Sequence, residues 1–224
     1  RAHAALKADG TVITWGCCTT IVPSCTANCW YDRDYGANPT SATIAQLTDV
    51  TSIVSTNNAF CAMKKDGTVV AWGGQEWGGE IDAITQDKLI NVKSVFATTA
   101  AFLALLENGD VHTWGQAALG GVIPRSILDE TDNKILDNVV TVTASQLAGF
   151  AVLRRDGSVR AWPYLDYNSF TFIEWPNSRL NNIIALYASG KAWAAINSTG
   201  YVHTFGQADY SGEVPSHDAE YFRT

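Results

Sequence analysis

Four cysteines crowd into one short stretch of the chain: Cys17, Cys18, Cys25 and Cys29 all stand within "CCTTIVPSCTANC". Three chemistries fit such a cluster. Disulfide pairing would staple a loop that has no core of its own, and it requires an oxidising compartment. Four thiolates could surround a zinc ion. The Cys-Cys-x6-Cys-x3-Cys spacing differs from paired Cys-x2-Cys knuckles, however, and adjacent cysteines seldom ligate one tetrahedral ion, so no metal site is assigned. Free thiols in a reducing cytosol are the third reading. Pairing is preferred, and it implies a lumenal or extracytoplasmic location. Unpaired cysteines would imply the cytoplasm. Cys61 lies apart from the cluster and reads as a small buried core residue.

The residues after the cysteines have a different chemistry. Trp30, Tyr31 and Tyr35 stand beside Asp32, Arg33 and Asp34. Aromatic rings flanked by charges are what protein interfaces use as anchors. A second aromatic run, "PYLDYNSFTFIEWPNS", carries Tyr164, Tyr167, Phe170, Phe172 and Trp175. It either packs on its own repeat or faces a partner. Both stretches are candidate contact surfaces.

Catalytic signatures are missing. There is no phosphate-binding P-loop, no Gly-x-Gly-x-x-Gly, no Gly-x-Ser-x-Gly and no His-Glu-x-x-His. The stretch "GGQEWGG" has glycines but no following helix pattern and no lysine. The histidines are His3, His112, His203 and His217. His112 and His203 fall at one repeat position, where other repeats carry Ile13, Val70 and Arg160, so that position reads as strand surface and not as a base. Asn197-Ser198-Thr199 is a glycosylation acceptor in form and would matter only in a secretory route. No catalytic residue, cofactor or metal is assigned, and the chain is not expected to be an enzyme.

A repeat sets the elements that carry these residues. Five segments share one pattern: "AALKADGTVITWG", "CAMKKDGTVVAWG", "LALLENGDVHTWG", "AVLRRDGSVRAWP" and "AAINSTGYVHTFG". Gly10, Gly67, Gly109, Gly157 and Gly200 are each followed, five residues on, by Trp15, Trp72, Trp114, Trp162 and Phe205. A second marker, Leu47, Leu89, Leu136 and Leu180, lies 20 or 21 residues before its glycine and opens a Val/Ile/Thr-rich phrase. Asp-Gly or Asn-Gly between alternating apolar runs predicts a β-hairpin with a type I′ turn. Each repeat is therefore an antiparallel sheet of three or four strands. Alone it would leave both faces bare, and radial stacking buries them. The expected fold is an all-β propeller of about five blades, forming a single domain over residues 1–224.

The glycine intervals are 57, 42, 48 and 43 residues. The excess in the first places an insertion at residues 17–34, within the first blade. With 224 residues and 46% hydrophobic content the chain can bury a large core. A net charge of −7 argues against nucleic acid or an anionic membrane as partner. The longest apolar stretch, Ser94–Leu106, falls short of the ~20 residues of a transmembrane helix. The chain opens on Arg1 without an initiator methionine, as expected of a processed or trimmed chain.

The phrase A-[LM]-K-x-D-G-T-V-x-x-W-G resembles the repeats of the regulator of chromosome condensation family. "GGQEWGGEI" and "GQAALGGVIP" are similar to a variant of that family's Gly-Gln-Leu-Gly segment. The resemblance covers nearly the whole chain. The Thr-Trp-Gly…Gly-Gly style with "AFxAL" further resembles repeat proteins of unicellular algae. The resemblance implies a β-propeller that acts as an interaction platform. The founding member has seven blades and catalyses nucleotide exchange on a small GTPase. That activity is the alternative reading here, and the residues it needs cannot be mapped.

The ring is expected to close through the C-terminal "AEYFRT", which would add a strand to the N-terminal blade. The functional expectation is a non-catalytic scaffold, an accessory subunit bound to protein partners in a larger assembly. Combined with paired cysteines, the algal resemblance points to the periphery of an organelle membrane complex, such as a photosynthetic supercomplex on the thylakoid lumen side.

Overall fold

Alternating apolar residues and turn glycines produce the hairpins that the repeat predicts. The computed structural model describes residues 2–16, 36–128, 136–162, 180 and 182–206. Strands β1 (Ala2–Leu6) and β2 (Val12–Gly16) form a two-stranded sheet. Four three-stranded antiparallel sheets follow: β3 (Val50–Ser55), β4 (Ala59–Lys64) and β5 (Val69–Gly73); β6 (Val92–Ala97), β7 (Ala101–Leu106) and β8 (Val111–Gly115); β9 (Val139–Ser145), β10 (Gly149–Arg154) and β11 (Val159–Trp162); β12 (Ile183–Ala188), β13 (Ala192–Asn197) and β14 (Val202–Gly206). The second strand of each lies in the middle. Among the described residues two short helices, α1 (Ser41–Gln46) and α2 (Ala83–Gln86), sit in the connections, capped by the side chains of Thr40 and Asp82. Among the described residues no helix is long and apolar enough to cross a membrane.

Register places one aromatic opposite another in every three-stranded sheet. Phe60 faces Trp72, Phe102 faces Trp114, Phe150 faces Trp162 and Trp193 faces Phe205. In the first sheet His3 faces Trp15. The Phe60–Trp72 and Phe102–Trp114 rings stack with centroids 5.3 and 5.4 Å apart.

The hairpin turns differ from the type I′ expectation. Positive φ falls on the glycine alone (Gly67 at 78°, Gly109 at 91°), and the residue before it keeps an ordinary backbone. The Gly67 N–H donates to the Lys64 carbonyl and the Lys64 N–H to the Thr68 carbonyl, which is a type I turn followed by a left-handed glycine. The aspartate braces this turn through its side chain. Asp66 Oδ1 accepts from the Thr68 N–H at 3.0 Å and from the Thr68 hydroxyl at 2.6 Å. Such a carboxylate favours the type I turn over the mirror-image one. The last repeat lacks that aspartate, and Asn197 Oδ1 takes its place, accepting from both the N–H and the hydroxyl of Thr199.

Blades join through three repeated devices. Apolar clusters fill the spaces between successive sheets: one side of β7 (Phe102, Ala104, Leu106) packs towards the second blade, and the other (Leu103, Leu105) towards Phe150 and Trp162 of the fourth. Both faces being covered, β7 is apolar throughout. Four of the turn glycines, Gly10, Gly67, Gly109 and Gly157, also dock on the next blade, each carbonyl accepting an N–H from it. The Gly67 carbonyl accepts from the Val92 N–H at 2.8 Å, and a Cβ on Gly67 would lie 3.0 Å from the Asn91 Cα. This close approach explains Asp49, Asn91, Asn138 and Asn182, which share φ of 54–56°. Asn and Asp tolerate that left-handed conformation best among residues with a side chain. The third device is an indole hydrogen bond, described below.

Among the described residues the fold is thus a nearly all-β propeller with five blade sheets, four of them three-stranded. The proposed closing strand, 219–224, lies outside the described residues.

Candidate functional site

The connection leaving each blade positions the surface features. After β5, Gln75–Trp77 form a 3-10 turn that ends at Gly78, with φ of 86°. The Thr56 hydroxyl donates to the Trp77 carbonyl at 3.1 Å and accepts the Ala59 N–H at 3.0 Å, fixing the turn to its own blade. Thr98 does the same for Leu119, Ala101 and the turn Ala117–Leu119. The framework tryptophan of the next blade then holds the connection. Trp72 Nε1 donates to the Gly36 carbonyl, Trp114 Nε1 to Gly78 (both 3.0 Å), and Trp162 Nε1 to Gly120 (3.2 Å).

A cleft of about 510 Å³ opens beside this junction. Gln75, Glu80, Asp82 and Thr85 of the second blade's connection form one wall. His112 and Trp114 of β8, with Gly121–Ile123, form the other. Asp82 is held below the usual carboxylate range, first by the Thr85 hydroxyl and then by its N–H, so its charge is spent on capping α2. His112 is pushed below the ordinary imidazole range by burial and then by Lys88, against a smaller opposing pull from Asp110. It is therefore neutral at physiological pH and offers one donor and one acceptor. Among the described residues no nucleophilic side chain hydrogen-bonds it, and no three His, Cys, Asp or Glu side chains gather as a metal site. The arrangement suits a hydrogen-bonding recess for a polar group.

This cleft was not legible from the histidine alone. The repeat position of His112 reads as plain strand surface. The available signal was that its counterparts Ile13 and Val70 are apolar; the structure buries Val70 and leaves His112 partly buried.

The sequence-based contact residues fall elsewhere. Cys17, Cys18, Cys25, Cys29, Trp30, Tyr31, Asp32, Arg33 and Tyr35 lie outside the described residues, as do Tyr164, Tyr167, Phe170, Phe172 and Trp175. Their anchors are described. The first stretch leaves from Gly16 at the end of β2 and returns at Gly36, beneath Trp72. The second leaves from Trp162 at the end of β11. Both depart where the second and third blades place a 3-10 turn. Cys61 is fully buried between the second and third blades, as expected of a core residue, and burial pushes its thiol far up.

Packed hairpin sheets, with a glycine connection held by the next blade's tryptophan, define a β-propeller, and its fold is like that of a regulator of chromosome condensation structure. The structure of yeast RCC1 (Prp20) bound to Kap60 superposes with a TM-score of 0.52 at 18% identity, covering 97% of this chain and 56% of that one. A second structure, of Prp20p from Saccharomyces cerevisiae, gives 0.47 at 16% identity over 92% of this chain and 56% of that one. Human WBSCR16 gives 0.45 at 18% identity, over 70% and 47%. The chain spans about half the length of these structural neighbours. No family model matches the sequence, and no curated protein matches it in a sequence search.

Proposed function

We propose that the chain is a non-catalytic protein-interaction propeller, an accessory subunit that docks a partner through the aromatic insertion of its first blade. One observation carries this reading. The insertion at 17–34 begins and ends at framework points, Gly16 and Gly36, that the fold holds in register with the other blades. Between the corresponding points the second and third blades carry only the compact turns Gln75–Trp77 and Ala117–Leu119, and the rings and charges belong to the extra sequence of the first. Aromatics carried on a fixed scaffold have the composition of binding hot spots.

The neighbour, yeast RCC1 (Prp20), is bound to Kap60 in that structure. Its likeness supports the platform reading by fold analogy alone. An assembly at the periphery of an organelle membrane, with the cysteines paired, is the setting proposed for the complex.

The test is affinity purification of the tagged chain from its native source. A stoichiometric partner that is lost when residues 17–34 are replaced by the corresponding turn of the second blade supports the proposal. Retention of that partner by the replaced chain overturns it. Acceleration of nucleotide release from a small GTPase would replace it with the exchange-factor reading.

A further inference from the structure

The cleft between the second and third blades holds polar groups that the fold does not use. Gln75, Glu80, His112 and Thr113 converge on it. Asp82 and Thr85 line it too, but they are spent on each other in the cap of α2. Among the described residues no side-chain hydrogen bond or ion pair engages Gln75, Glu80, His112 or Thr113. Convergent polar side chains without partners are what a recognition cleft keeps for its ligand.

The repeat shows that these residues are not needed to build the junction. In the second blade Val70, 8% exposed, stands at the place of His112, and Ala71 at the place of Thr113. One junction further on, Ala117 and Val122 take the places of Gln75 and Glu80. The same blade-to-blade contact is thus made with apolar residues elsewhere, and a polar departure from it calls for another cause.

The fourth blade indicates which chemistry the position can hold. Arg160 stands there at the place of His112. It is partly buried, and its guanidinium donates to the Val159 carbonyl at 3.2 Å. The strand position therefore accommodates a guanidinium where the chain supplies one. In the cleft before the third blade the chain supplies none. No described lysine or arginine lines it, and Lys88, whose charge acts on His112, is not among the lining residues.

All four unused groups can accept a hydrogen bond: a carboxylate, an amide carbonyl, a hydroxyl and the lone pair of a neutral imidazole. Asp82 adds a second carboxylate to the walls. The complement of that set is a donor-rich cation. Val122, 57% exposed, and Ile123 give an apolar strip along which the methylene stem of a long basic side chain can lie.

We infer that this cleft takes a basic side chain of a protein partner, an arginine in preference to a lysine, with Glu80 as counter-ion and Gln75, His112 and Thr113 accepting its remaining N–H groups. The planar fork of a guanidinium can meet several such acceptors at once, which the point charge of an ammonium does less well. The site is separate from the insertion at 17–34 and does not depend on it.

Two-dimensional NMR of the 224-residue chain, titrated with acetyl-Gly-Arg-Gly-amide, tests this. The backbone amides of Thr113 and Gly121 should shift in a saturable way, with a Kd on the order of 1 mM for a single side chain. The citrulline peptide has the same shape without the charge and should bind roughly tenfold more weakly. Glu80→Gln should weaken the arginine peptide roughly tenfold, and His112→Val roughly fivefold. Both variants should fold, because Glu80 is exposed and valine already serves at position 70. Unshifted amides of Val152 and Leu153 in the fourth blade check that they do. Three results overturn the inference: no saturable shift at Thr113 and Gly121, equal binding of the citrulline peptide, which would assign the cleft to a neutral ligand, and unchanged affinity in Glu80→Gln.

Discussion

The indole Nε1 of Trp114 donates to the carbonyl of Gly78 at 3.0 Å, tying the third blade to the connection that leaves the second. Because the same bond recurs at Trp72 and Trp162, it is part of how blades are spaced. Trp114→Phe keeps most of the ring and removes the donor, leaving a buried carbonyl unpaired. It should cost about 1–3 kcal/mol. Trp114→Ala also empties the space against Phe102 and should cost ~3–5 kcal/mol. Urea denaturation with unchanged m-values measures both, and unchanged stability in Trp114→Phe would show that the hydrogen bond contributes nothing.

Gly78 serves that contact in a second way. Its φ of 86° disfavours any side chain, and a Cβ would lie 2.7 Å from the Phe102 ring. Gly78→Ala should therefore destabilise by more than the ~1 kcal/mol of backbone strain alone. Gly190, with nothing within 4 Å of a built Cβ, is the control. Gly190→Ala should leave the melting temperature nearly unchanged, and a similar loss at both sites would contradict the packing argument.

His112 makes stability depend on pH with a definite sign. Its folded pKa is lowered, so the unfolded chain binds the proton more readily. Stability is then fullest above the ordinary imidazole value of about 6.5 and falls as pH drops below it towards the folded value. His112→Val, the residue type found at position 70, should remove this part of the pH dependence. Melting temperatures of both chains between pH 7.5 and 5.5 measure it, and parallel curves would contradict the assignment.

The turn aspartates govern the acid limb. Asp66 and Asp156 are held below the usual carboxylate range, chiefly by the hydroxyls of Thr68 and Ser158. Lowered folded values mean that their contribution is present above the unfolded value of about 3.9 and is lost as pH falls through the folded one. Asp66→Asn retains an acceptor without the charge and should flatten the pH profile below about 4. A thermal titration from pH 5 to 2 reads this directly.

Cys61 should resist alkylation in the folded chain. It is fully buried and its thiol is pushed far up, so the reactive thiolate is suppressed. Peptide mapping after iodoacetamide should find it modified only after unfolding. Its labelling in the native chain would show that the second and third blades separate readily.

Five glycines with an aromatic five residues on revealed the hairpins, their number and their order, because a two-residue side-chain alternation and a left-handed turn are local requirements that each repeat must meet. The leucine marker likewise foretold the first strand of each blade after the first, and Leu47, Leu89, Leu136 and Leu180 are all buried. The left-handed Asn91 and its counterparts Asp49, Asn138 and Asn182 were not singled out in the repeat, because their cause lies in the neighbouring blade.

What remained hidden depends on pairs of residues far apart in the chain. The bond from Trp114 to Gly78 spans 36 residues, and nothing local to either announces it. The half-buried state of His112 arises because the preceding blade's connection lies across it, at a position where Ile13 is half exposed. The same indole and glycine spacing therefore gives a sealed junction at Trp114 and an open face at Trp15. Burial belongs to the neighbour as much as to the residue, and blade stacking alone assigns the neighbours.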